Sequence, residues 1–151
     1  MHRIEPPINR DPNDLDAMFW HRLSYVLAQL KVDGTPFVLH EGFRTVERQR
    51  WLYGQGRPAA KYGRPGKKVT DRDGVTKQSD HQAGFAADCY PCHANGKIIW
   101  PPPPSDPTEP DCDPRWERYA ALAEAQGLTA GYRWKSPHDP PHVEMRKGKQ
   151  E

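Results

Sequence analysis

Residues 79–90 read SDHQAGFAADCY. One imidazole, His81, and one carboxylate, Asp88, stand seven positions apart, with Gly84 between them and alanines at 83, 86 and 87. In an extended strand that spacing is about 23 Å and the two side chains face opposite ways. In a helix they share a face but sit about 10 Å apart along the axis. Neither conformation lets both groups reach one small ion. The chain must fold back between them, and Gly84 supplies the permissive backbone while the alanines allow close approach. A turn followed by a short strand is expected.

A third ligand is needed, and the segment HDPPHVE, residues 138–144, offers one. Two imidazoles and a carboxylate with an open fourth position form the donor set of catalytic zinc sites. A further carboxylate can then act as general base. Pro140 and Pro141 exclude the helix on which HExxH metalloproteases carry their ligands. On spacing alone His138 competes with His142, and spacing does not say which of Asp88 and Asp139 binds metal and which acts as base.

The rest of the chain sets the frame. Its 151 residues suit a single domain, 1–151, long enough to bury a core. Seventeen Pro and twelve Gly predict irregular backbone between short elements, while five Trp, six Tyr and four Phe supply core material. A net charge of +2 does not demand a nucleic-acid partner, and no run reaches the roughly 20 apolar residues of a membrane span. The start, MHRIEPPINRDP, lacks the apolar stretch of a secretory signal, so synthesis in the cytoplasm is expected. Three cysteines cannot all pair, which excludes a disulfide scaffold. A monomer is expected.

An apolar stripe of Leu15, Met18, Phe19, Leu23, Val26 and Leu30 predicts a helix over 11–30, capped by Asp11 or Asn13. FVLHEGF (37–43) reads as a strand, and a second helix follows from the Thr45 cap to Gly54. Residues 57–78 form a long loop whose seven Lys and Arg face only Asp71 and Asp73. It is either a solvated loop or a flap that meets an acidic substrate. KIIW (97–100) reads as a short strand, and 101–113 as a proline-rich loop. PRWERYAALAEAQGL is a helix with Asp113 as cap, Pro114 at its first position and Gly127 as its stop. TAGYRW (129–134) and HVEM (142–145) read as terminal strands. The expected class is α+β: a small antiparallel sheet carrying the zinc site, flanked by about three helices.

These residues carry a resemblance. SDHQAGFAAD and DPPH resemble the paired Ser-x-His-x-x-Gly-x-Ala-x-Asp and Asp/Glu-x-x-His motifs of a zinc peptidase family. That family holds the D-alanyl-D-alanine dipeptidases and carboxypeptidases and the phage L-alanyl-D-glutamate peptidases, and it shares its fold with the hedgehog signalling domain. EGFRT (41–45) resembles the family's Gly-aromatic-Arg-Ser/Thr segment, and GLTAGYRW its approach to the last motif. The resemblance runs from about Val38 to Glu144. It implies that His81, Asp88 and His142 bind zinc and that Asp139 is the catalytic acid/base, Asp there being typical of the phage L-alanyl-D-glutamate branch. It further implies that Arg44 binds the scissile carbonyl or nearby substrate, and that Ser79 lies near substrate.

The implied activity is zinc-dependent hydrolysis of the peptidoglycan stem peptide, between L-Ala and D-Glu, by a phage or prophage endolysin released to the wall by a holin. The alternatives are a D-Ala-D-Ala or other carboxypeptidase and a non-catalytic zinc-stabilised wall-binding module. One departure from the family pattern is CYPCH, directly after Asp88. It matches the c-type haem attachment pattern, but a haem there would crowd a zinc ligand. Cys89, Cys92, His93 and Cys112 could instead hold a second, structural zinc.

Overall fold

The computed structural model describes residues 4–100, 113–135 and 138–146, so the proline-rich stretch 101–112, with Cys112, lies outside the described residues. The first helix, α1, spans Ala17–Val32, and its cap is Asp16, whose carboxylate accepts the Phe19 N–H at 3.0 Å. The expected caps therefore lie too early. Asp11 instead caps a single 3-10 turn, Pro12–Asp14. Phe19, Leu23, Val26 and Leu30 form the buried stripe, and Met18, one step of about 100° away from Phe19, is exposed.

Strand β1 (Phe37–Glu41) follows, then α2 (Val46–Gly54), in which the Thr45 side chain accepts the Arg48 N–H. The long basic segment 57–78 contains no helix or strand, as expected. Strand β2 (Ala86–Pro91), helix α3 (Pro114–Ala125), strand β3 (Thr129–Ala130) and strand β4 (His142–Glu144) complete the elements. Asp113 and Pro114 start α3 as read, and Gly127 follows it with φ +79°.

The strands are shorter than read: β1 stops at Glu41 and β4 at Glu144, and KIIW and TAGYRW fall furthest short. KIIW makes only one bridge, Ile98 to Cys92. Pro91 has no N–H to extend that ladder, and the Cys92 N–H goes to Pro36 O. TAGYRW is a strand for two residues and then a 3-10 turn, Gly131–Arg133. There the Gly131 carbonyl accepts the N–H groups of Trp134 and Asp139, which turns the chain off the sheet.

The four strands form one antiparallel sheet in the order β1-β2-β4-β3. Alternation sorts its faces. Phe37, Leu39, Ala87, Cys89 and Val143 join the core with α1 and with Trp116, Tyr119, Ala120 and Ala123 of α3. Phe37 stacks on Tyr119 at 4.7 Å between ring centroids and meets the edge of Trp116 at 5.4 Å. Truncating fully buried Trp116 to Ala would cost about 3–5 kcal/mol. The opposite face, with Asp88, His142 and Glu144, is left to build a site. The α+β class and its helix-flanked antiparallel sheet are as expected.

Candidate metal centre

Register brings two of the three expected ligands together. Asp88 of β2 and His142 of β4 are direct antiparallel partners, so their side chains share a face roughly 5 Å apart at Cβ. His81 arrives by the turn expected between 79 and 85. The Phe85 N–H returns to Asp80 O, the Gly84 N–H returns to His81 O, and Gly84 sits at φ +80°, where a side chain would be strained. A Cβ on Gly84 would also lie 3.1 Å from Asp16 N, because the Asp16 N–H bonds Gly84 O. The start of α1 thus rests on the turn that presents His81.

The donor atoms converge. Asp88 Oδ1 is 3.6 Å from His81 Nε2 and 3.4 Å from His142 Nδ1. Donors of a tetrahedral zinc at about 2.0–2.1 Å stand about 3.3–3.4 Å from one another. Asp88 Oδ1 is also buried without a hydrogen-bond partner, as a carboxylate oxygen reserved for a cation would be. Among the described residues these three form the one group of His, Cys, Asp and Glu able to hold a metal. His138 is not in it. Its Nδ1 meets Trp134 O at 3.0 Å and its ring lies against Tyr132.

Each imidazole is oriented from behind. His81 Nδ1–H donates to Gly42 O at 2.8 Å, which leaves Nε2 for a metal. His142 Nε2–H donates to Glu144 Oε1 at 2.8 Å, which leaves Nδ1. Partners of this kind fix the tautomer and raise the basicity of a ligand. Burial works to lower the His142 pKa, but the neighbouring Asp88 and Glu144 carboxylates outweigh it and hold the ring at about 10. Asp88 moves the other way: burial opposes its charge, yet His81, His142 and Arg44 keep it well below the usual carboxylate range. A site that concentrates negative charge on two imidazoles suits a divalent cation.

Asp139 stands beside this group, its Oδ2 4.0 Å from His142 Nδ1. Burial and the Asp88 charge push its pKa up, which makes it a stronger base than a solvated aspartate. Its backbone is fixed by Gly131: a Cβ there would lie 2.2 Å from Asp139 O. Arg44 reaches in from the end of β1. Its Nη2 contacts Glu41 Oε1 at 3.3 Å and Asp88 Oδ2 at 3.4 Å, and its Nη1 donates to Gln49 Oε1 at 3.1 Å. A bulge between Leu39 and Glu41 brings Glu41 opposite Asp88, and the same carboxylate takes Arg48 Nε at 2.8 Å. The Ser79 hydroxyl is buried without a partner. Arg44, Ser79, Asp139 and the three donors line one cavity of about 350 Å³, with Thr70, Arg72, Trp134 and Arg146 among its walls.

The sequence reading missed three contributors: Glu144 as the orienter of His142, Glu41 as a partner of Arg44, and fully buried Gln49 as its third contact. For Glu144 a signal was present, since HVE on a strand puts its first and third residues on one face. The cysteine cluster is dispersed among the described residues. Cys89 faces the core, and burial lifts its thiol to about 12. Cys92 Sγ lies 3.5 Å from Pro36 O, and His93 is exposed.

A family model described as D-alanyl-D-alanine carboxypeptidase matches residues 73–145. The peptidoglycan L-alanyl-D-glutamate endopeptidase CwlK of Bacillus subtilis is 31% identical over 134 residues, 89% of this chain and 75% of that protein. Among solved structures, the L-Ala D-Glu endopeptidase ChiX of Serratia marcescens superposes with a TM-score of 0.55 at 20% identity, covering 96% of this chain and 90% of that one. The vancomycin-resistance D,D-pentapeptidase VanY in complex with Zn(II) gives 0.55 at 17% identity, over 87% of this chain and 72% of that one. The two solved structures share the fold of this chain. With CwlK matched over most of both sequences, the chain belongs to the D-alanyl-D-alanine carboxypeptidase family of metallopeptidases.

Proposed function

We propose that this chain hydrolyses the peptidoglycan stem peptide between L-Ala and D-Glu, in the role of a phage or prophage endolysin. The observation that carries the reading is its likeness, over 89% of its length, to an L-alanyl-D-glutamate endopeptidase. His81 Nε2, Asp88 Oδ1 and His142 Nδ1 would hold the zinc, which when bound supplies Lewis acidity toward water and toward the peptide carbonyl. Asp139 takes the proton from water as its oxygen adds to the carbonyl carbon. The same carboxyl returns that proton to the nitrogen as the C–N bond breaks, leaving a free acid and a free amine. Arg44, held by Glu41 and Gln49, offers a fixed cation where negative charge grows on the carbonyl oxygen. Ser79 Oγ is available to hydrogen-bond the bound peptide.

A second reading is a carboxypeptidase that releases a terminal D-Ala, favoured by the description of the matching family model. Purified peptidoglycan digested with the zinc-loaded protein separates the two. New N-terminal D-Glu with C-terminal L-Ala, identified by mass spectrometry, supports the endopeptidase, and release of D-Ala alone replaces it with the carboxypeptidase.

A further inference from the structure

Three arginines line the cavity: Arg44, Arg72 and Arg146. Arg44 Nη1 and Nη2 are taken by Gln49, Glu41 and Asp88, while its buried Nε has no partner and belongs to the carbonyl-binding role proposed above; Arg146 Nε is paired with Glu144 Oε2 at 3.1 Å. Arg72 is different. Its guanidinium makes no hydrogen bond or ion pair among the described residues, the Asp80 carboxylate on the same cavity acting on it only through the electrostatic field, and its backbone is tied down. Its N–H donates to Thr70 Oγ1 at 3.1 Å, and its carbonyl accepts Gln49 Nε2 at 2.9 Å. Arg57 Nη1 holds Thr70 O at 2.9 Å. Gln49 is fully buried, and its other amide atom, Oε1, takes Arg44 Nη1. One buried side chain thus sets the backbone of Arg72 and the head group of Arg44 in a fixed relation. An exposed cation carried on a backbone so anchored, with its donors unused on a cavity wall, is a receptor for an anion.

The substrate proposed above carries one at the right place. In the stem peptide the chain continues through the side-chain carboxyl of D-Glu. Its α-carboxylate therefore stays free, on the carbon that bears the leaving nitrogen. A group that close to the scissile bond must bind within this cavity. Resting on the L-Ala–D-Glu reading, we infer that Arg72 is the specificity residue that receives this α-carboxylate, with Gln49 positioning it. The chain then discriminates a stem peptide with a free D-Glu α-carboxylate from one in which that group is a carboxamide. A carboxamide cannot make the charge-assisted pair, and facing the guanidinium it leaves a donor against donors.

The test uses two synthetic N-acetylmuramyl peptides that differ only in this group, acid or amide, with the zinc-loaded wild type, Arg72→Gln, Arg72→Lys and Arg146→Gln. Zinc content and circular dichroism are measured for each. A hydrogen bond to a charged group corresponds to a preference for the acid of about 10–100-fold in kcat/KM. Arg72→Gln should bring the acid-to-amide ratio near one, and Arg72→Lys should keep part of it, because Lys retains the charge without the planar fork. The inference is overturned if Arg72→Gln keeps the wild-type ratio, if it lowers both substrates equally, if Arg146→Gln alone removes the preference, or if wild type shows none. If wild type cuts neither peptide at the L-Ala–D-Glu bond, the reading of the scissile bond falls and the inference with it. Cleavage without discrimination overturns the inference alone.

Discussion

Asp88 and His142 face each other across neighbouring antiparallel strands, with His142 Nδ1 3.4 Å and His81 Nε2 3.6 Å from the same oxygen, Asp88 Oδ1. The pairing of β2 with β4 is therefore also the assembly of a donor set. Purified protein should hold one zinc ion per chain. His81→Ala and His142→Ala should each lose it, by elemental analysis after dialysis. Full occupancy in both variants would mean that the metal sits elsewhere.

Glu144 touches no substrate in this scheme and acts through His142 Nε2. Glu144→Gln keeps the shape but replaces the charged acceptor with a neutral one. It should weaken zinc affinity by about 10–100-fold, read by competition with a chromophoric chelator. An unchanged affinity would make Glu144 a spectator.

Asp139→Ala should behave in the opposite way. It should keep zinc and fold while turnover falls by roughly 10²–10⁴-fold, the usual contribution of a general acid–base group. If Asp139→Ala stays active while Glu144→Ala does not, the base is Glu144, the carboxylate of HVE. Single-turnover cleavage of muropeptides at saturating zinc keeps metal loss out of the comparison.

Gly131→Ala tests the support under Asp139. The new Cβ would meet Asp139 O at 2.2 Å and His142 Cβ at 3.1 Å, backbone and ligand together, with no flexible side-chain end to give way. Overpacking of this kind costs about 1–3 kcal/mol. Urea denaturation should show that loss, and kcat should fall, because both Asp139 and His142 must shift. A stable and fully active variant would show that the turn adapts without cost.

Much of this site was legible because its chemistry is dense in sequence. His81, Gly84 and Asp88 lie within one short stretch, and the folded-back turn that their spacing requires is the one found. Asp139 and His142 were visible as a pair, but nothing local decided between His142 and His138. That choice is made by register, since His142 is the residue of β4 that pairs with Asp88 while His138 precedes the strand. Register between segments so far apart in the chain leaves no mark on either one alone. Gln49 was invisible for another reason. A polar residue in a helix reads as solvent-facing, and only the burial of α2 beneath Thr70 and Arg72 turns its amide into a bridge. The start of α1 was misplaced because Asp11, Asn13 and Asp16 are all good caps, and the docking of Asp16 N–H on Gly84 O selects the last of them.

The sheet order has a further consequence. β2 and β4 are the two inner strands, each hydrogen-bonded on both sides, whereas the outer positions fall to β1, which ends in a bulge, and to the two-residue β3. In amide hydrogen exchange the strands bearing Asp88 and His142 should open with the slowest part of the molecule. The wall formed by Val69–Arg72 belongs to a segment without regular structure and should open far more readily. Floor and wall are therefore separable in evolution. Substitutions at 69–72 can re-tune which peptide is admitted, with the donor set and its two orienting hydrogen bonds left undisturbed.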